Sequence, residues 1–157
     1  MGERFEPWKP LPDTTGEFFI VWFEHRPATG AVLEVERADG SPILRVWFDD
    51  AIAFREHPHD VLMLTWWESH SFYRVRESAW AAWLEQQSQG ICSAADYAHY
   101  GCKTVDGCYE VLSATAPRAE WVAQALSLNP AARAEQRHAE PLSWPTDLNK
   151  NEDPGSV

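Results

Sequence analysis

The fold class is decided by the stretch VLEVERADGSPILRVWFDDAIAFR, residues 32–55. Two runs of β-branched and aromatic residues, 32–37 and 43–48, flank Ala38-Asp39-Gly40-Ser41. Asp-Gly between two apolar runs is a strong hairpin signal. A third short run, 52–55, follows the turn-like pair Asp49-Asp50. The stretch therefore predicts three consecutive strands of an antiparallel sheet.

Working outward from this stretch, short apolar runs predict further strands. They lie at residues 18–23, 61–67 and 72–76, and a second hairpin joins 99–104 to 108–112 through Val105-Asp106-Gly107. The run 18–23 is apolar throughout, between Gly16 and Pro27, which predicts a strand buried on both faces.

The apolar period changes to that of a helix after residue 77. Trp80, Trp83, Leu84 and Gln87 fall at i, i+3, i+4 and i+7, with Ser78 as a candidate N-cap and Gly90 beyond the end. We expect this helix to lie on the sheet and to bring both indoles into the core.

Two further helices are predicted near the C-terminus. Pro117 suits a first helical position, and an apolar stripe follows at Trp121, Val122, Ala125 and Leu126. Residues 131–139 could form a last helix after Pro130. The prediction is an α+β fold, with a mainly antiparallel sheet of about six strands and two or three helices packed on it. One domain would span residues 17–128, between an N-terminal extension, 1–16, and a polar, partly disordered C-terminal helix and tail, 129–157.

The composition restricts the partners. The 157 residues carry a formal net charge of −11, and half of the 24 acidic residues lie in residues 1–60. A nucleic acid partner is not expected, because a polyanion is bound through Lys and Arg. No stretch has the length or apolarity of a membrane span or a secretory signal, and the three cysteines are an odd number. We therefore expect a cytoplasmic protein.

Two clusters are candidate chemical sites. His57-Pro58-His59-Asp60 offers imidazole and carboxylate ligands but lacks a convergent third or fourth ligand, and a solvated loop explains it adequately. His99 and Cys102 should face opposite sides of a regular strand, which argues against a thiol–imidazole pair. We expect no catalytic residue, no metal and no cofactor.

The strongest functional signal is aromatic, since the chain holds nine tryptophans. Trp66 and Trp67 should face opposite sides of a strand, and the exposed indole would be a binding anchor beside Glu68 and His70. The alternative is that another element covers that second face.

Acidic residues on the predicted hairpin complete the candidate partner-binding set. Glu34 and Glu36 share one strand face, typical of a solvated surface and equally suited to a basic partner. Charge reversal at both should then slow association and leave the fold intact.

Two segments carry a family resemblance: residues 45–55, RVWFDDAIAFR, and residues 99–112, from His99-Tyr100 to Glu110-Val111-Leu112. They resemble sequences of small bacterial cytosolic proteins. Short, acidic, Trp-rich and without catalytic motifs, the chain is similar in type, over about residues 17–126, to the immunity proteins of polymorphic or contact-dependent bacterial toxins.

This resemblance implies a non-enzymatic protein that binds and neutralises a basic toxin domain, and it transfers no site residue. The alternatives are a small-molecule-binding domain or small enzyme with an aromatic pocket formed by the sheet and the Trp80/Trp83 helix, and a structural component of a larger assembly. The oligomeric state is not predicted.

Overall fold

The computed structural model describes residues 2–39, 42–58 and 70–123. Nine strands and one α-helix lie in these ranges. They are β1 (Arg4–Pro7), β2 (Phe19–Arg26), β3 (Gly30–Glu36), β4 (Ile43–Phe48), β5 (Ala51–His57), β6 (Phe72–Arg76), α1 (Ala79–Gln87), β7 (Ala98–Lys103), β8 (Cys108–Ser113) and β9 (Arg118–Val122). A short 3₁₀ turn, Ala94–Asp96, precedes β7.

The strands form two antiparallel sheets. One has five strands in the order β1-β6-β7-β8-β5, and the other has four in the order β2-β3-β4-β9. The chain passes from the second sheet to the first at Asp49-Asp50, between β4 and β5. The predicted α+β fold with about six strands and two or three helices is therefore wrong: within the described residues the protein is mostly β-sheet.

Two segments account for much of the error. Trp121 and Val122, read as part of a helix stripe, belong to β9, which pairs with β4 and places Trp121 opposite Leu44. In a strand, Ala119 and Trp121 face the core together, and this burial overrides the helical spacing. Residues 4–7 of the expected extension form β1, an edge strand on β6. Short charged edge strands have little sequence signal.

The main core lies between the two sheets. Its buried side chains come from the inner faces of both, including Leu33, Val35 and Val46 from one and Phe72 and Val111 from the other. Because strand residues alternate, Glu34 and Arg45 point away from this core, and so does Glu110 on the opposite sheet. Each sheet thus has an outer face that carries polar side chains.

Most local predictions near the hairpins are confirmed, with one correction at β2. The hairpin arms 32–37 and 43–48 form β3 and β4, and 99–104 with 108–112 form β7 and β8. However, β2 is a sheet edge with every residue half-buried, so the expected burial on both faces is wrong.

Helix α1 begins after Ser78, which caps it as predicted by accepting a hydrogen bond from the Ala81 amide. The two indoles of α1 differ in burial, since Trp80 is half-buried and Trp83 is 54% exposed. The expectation that both enter the core is therefore wrong. No helix in the described ranges is long and apolar enough to cross a membrane. The predicted strand 61–67, the helix 131–139 and the tail lie outside the described residues.

Candidate functional site

The outer face of the four-stranded sheet combines indoles with charged side chains. Pairing of the strands aligns two cross-strand rows there, Glu24–Val32–Trp47–Arg118 and Trp22–Glu34–Arg45–Glu120. We call these eight residues the tryptophan face. Trp22 and Trp47 are half-buried and do not belong to the core cluster, so this face presents two indoles outside the protein's interior.

Trp47 is held by two guanidinium groups. The Cζ atoms of Arg45 and Arg118 lie 5.4 and 5.1 Å from its ring centroid, within the range of a cation–π contact. Arg118 is itself fixed by Asp49, which accepts hydrogen bonds at 2.7 and 2.9 Å from Nε and Nη2. This hydrogen bonding lowers the pKa of Asp49. These contacts restrict the motion of the indole, and this restriction reduces the entropy lost when a partner binds it.

Glu34 is the buried carboxylate of the tryptophan face. It is only 4% exposed, and its Oε1 accepts a hydrogen bond of 2.6 Å from Nε of Arg45. The expectation of a solvated Glu34 is therefore wrong, and reversal of its charge is now expected to disturb the fold. A cross-strand arginine allows this carboxylate to be buried, and a lysine in its place would leave two cations together.

Trp22 is held by a carboxylate, and further acidic residues lie at the edge of the tryptophan face. The Trp22 indole N–H donates to Glu24 at 3.3 Å, and Glu24 also accepts 3.0 Å from Nε of Arg26. Glu120 is 55% exposed and lies 3.9 Å from Arg45, and Glu36 is half-exposed beside the face. Most charges on the face are therefore paired with one another. Glu120, which is only loosely paired, and the neighbouring Glu36 are the acidic groups that a partner can reach.

The predicted partner-binding residues are only partly brought together. Glu34 and Glu36 lie on β3 as predicted, whereas His70 precedes β6 and forms a bridge with Gly16. Trp66, Trp67 and Glu68 lie outside the described residues. Sequence reasoning missed Trp22 and Trp47, although the alternation of Arg45 and Trp47 with apolar neighbours in β4 already indicated a mixed outer face.

The five-stranded sheet carries a buried polar cluster on its own outer face, centred on Glu110 of β8. Oε1 of Glu110 accepts a hydrogen bond of 2.9 Å from the Tyr73 hydroxyl. Oε2 is hydrogen-bonded to Arg55 and lies 3.1 Å from Nε2 of His57. His99 is fully buried, and its Nε2 lies 3.2 Å from Oε1 without the alignment of a hydrogen bond.

Burial acts to raise the pKa of Glu110, but His99 and Arg55 outweigh it and hold the pKa well below its ordinary value. The carboxylate is therefore ionised at neutral pH and acts only as an acceptor.

The geometry permits this cluster because one residue lacks a side chain. Tyr73, Gly101, Glu110 and Arg55 form one cross-strand row on β6, β7, β8 and β5. A Cβ at Gly101 would lie 2.2 Å from Cζ of Tyr73. The tyrosine thus lies across the glycine and reaches the carboxylate two strands away.

The candidate metal and thiol groups are placed as follows. His57 binds Glu110, His59 lies outside the described residues, and in the described ranges no three His, Cys, Asp or Glu side chains form a metal-binding group. His99 and Cys102 do face opposite sides of β7, as predicted. Burial raises the pKa of Cys108 to about 11 and that of Cys102 well above its usual value, so both thiols are protonated at neutral pH.

Comparison of the chain with protein-family models, curated proteins and solved structures found no match.

Proposed function

We propose that the protein is a binding protein whose tryptophan face contacts a basic surface of a protein partner, as an immunity protein that neutralises a basic toxin domain would. The observation that carries the proposal is the pair of indoles on one ordered sheet face outside the core. Trp and Arg are the residues most enriched at binding hot spots, and this face combines two of each.

Long-range attraction and contact have different sources here. The net charge of −11 gives the whole molecule a field that attracts a basic partner and raises the rate of encounter. Because most charges on the face are paired internally, they add little to that field. They hold the indoles in position, and Glu36 and Glu120 remain to pair with basic side chains of the partner.

The proposal is tested by comparing the proteins that immobilised wild type and variants retain from the native host. Trp22→Ser and Trp47→Ser remove the indoles of the face. Trp83→Ser is the matched control, because it removes an exposed indole from α1, away from this sheet. Circular dichroism and thermal melting verify that each variant is folded.

A partner retained by wild type and Trp83→Ser, and lost from Trp22→Ser or Trp47→Ser, is the expected result. With that partner purified, each of these two substitutions should weaken binding by about 2 kcal/mol, roughly a 30-fold change in Kd, mainly through faster dissociation.

Charge reversal at Glu36 and Glu120 gives a second test of the proposal. Glu36→Lys and Glu120→Lys together should slow association and reduce its dependence on salt, with dissociation little changed. Equal binding by all tryptophan variants, or unchanged association after charge reversal, would contradict the proposal.

A further inference from the structure

Ser78 lies at the junction of β6 and α1, on the sheet opposite the tryptophan face. Glu77, just before it, has a φ of 54°, a left-handed conformation that makes the chain turn sharply from strand to helix. Non-glycine residues with such a backbone are concentrated at functional sites. Ser78 itself has an extended backbone and is partly exposed.

The Ser78 hydroxyl is bonded to a buried histidine. Its Oγ lies 2.9 Å from Nδ1 of His99, and it also accepts 3.1 Å from the Ala81 amide. On the other side of the ring, Nε2 of His99 lies 3.2 Å from Oε1 of Glu110, within ion-pair distance but not aligned as a hydrogen bond. The negative charge of this carboxylate favours the proton on Nε2, which leaves Nδ1 to accept the hydroxyl proton of Ser78.

The histidine is fixed in this orientation. The Trp80 ring stands edge-on to it at 5.2 Å between centroids, and Glu110 is in turn held by Tyr73 and Arg55. A serine nucleophile is activated by this arrangement, in which a hydroxyl lies next to an imidazole and the imidazole lies next to a carboxylate.

A cavity adjoins the hydroxyl. Its volume is about 620 Å³, and its lining combines Ser78 and six alanines of α1 and the segment 94–98 with the charged residues Glu3, Arg74, Arg76 and Glu77. The alanine part of this lining suits a short acyl chain. Glu3 also lines the cavity, and its Oε1 accepts a hydrogen bond of 2.8 Å from the Ala79 amide. The N-terminus of α1 thus already binds a carboxylate oxygen.

We propose that Ser78, His99 and Glu110 form a second functional site, which transfers the acyl group of small esters to water. Oγ of Ser78 adds to the ester carbonyl carbon while its proton passes to Nδ1 of His99. The ester C–O bond then breaks, and the alcohol leaves with that proton. Water adds to the acyl carbon as His99 takes its proton, the acid is released, and the proton returns to Oγ. Glu110 is a positioning residue for His99.

The test uses a fluorescent alkyl fluorophosphonate, which phosphonylates activated serines, on the full chain at pH 8, with the adduct located by peptide mass spectrometry. We expect one phosphonyl group, on Ser78. Ser78→Asn should form none, although asparagine is an equally good N-cap and keeps the helix. Ser88→Ala, which removes the serine at the other end of α1, should be labelled as fast as wild type.

His99→Gln should slow labelling on the order of 100-fold, since the base is lost. Glu110→Gln should slow it and also move the pH of half-maximal labelling, which a merely structural role would leave unchanged. If either variant fails to fold, the position of the adduct on the wild-type chain still tests the proposal. No adduct on Ser78 after hours of incubation, or equal labelling of folded His99→Gln, would overturn the proposal.

Discussion

Replacement of Gly101 by alanine should reverse the effect that a strand position normally shows. Alanine in a strand interior is ordinarily more stable than glycine by about 0.5–1 kcal/mol. At Gly101, however, the new Cβ would lie 2.2 to 2.5 Å from three ring and hydroxyl atoms of Tyr73. The ring must move, and it then loses its hydrogen bond to Glu110.

The magnitude follows from two terms. Overpacking a well-packed site costs about 1–3 kcal/mol, and a hydrogen bond to a charged group contributes about 1.5–3 kcal/mol. After the ordinary gain from alanine is subtracted, we expect Gly101→Ala to destabilise by about 3 kcal/mol. For a chain of this size that corresponds to a fall in Tm of roughly 6–12 °C.

Urea denaturation followed by tryptophan fluorescence measures this change, and a second background isolates its cause. In Tyr73→Val the ring is absent, so adding Gly101→Ala should be neutral or stabilising by up to about 1 kcal/mol. If Gly101→Ala leaves wild type as stable as before, or has the same effect in both backgrounds, the packing of Tyr73 over Gly101 is refuted.

Three further predictions concern charge and chain length. Glu34→Gln should destabilise by about 3 kcal/mol in urea denaturation, because it leaves Arg45 without its buried partner, whereas Glu36→Gln on the same strand should change stability by less than about 0.5 kcal/mol. The lowered pKa of Glu110 means that its contribution to stability is present at neutral pH and decreases as the pH falls below its ordinary value of 4.5. The difference in unfolding free energy between wild type and Glu110→Gln should thus be larger at pH 7 than at pH 4, and an equal difference would contradict this sign. A chain ending at Glu140 should keep its Tm within a few degrees, and loss of a cooperative melt would show that later residues are needed for folding.

The sequence alone determined the local elements. The β3–β4 and β7–β8 hairpins follow from Asp-Gly between apolar runs, and α1 follows from its period and its Ser78 cap. These signals arise from contacts between residues close in the chain, so a single sequence is enough to show them.

Only the tertiary structure decided how these elements combine. The pairing of β9 with β4 and of β1 with β6 joins distant segments, and burial of Trp121 against the core outweighs its helical spacing. The same holds for both sites. Glu34 is buried because strand pairing places Arg45 beside it, and Glu110 meets Tyr73 because Gly101 stands between them. The function of a polar residue depends on neighbours that strand register provides, and register across distant segments is not written in any local pattern.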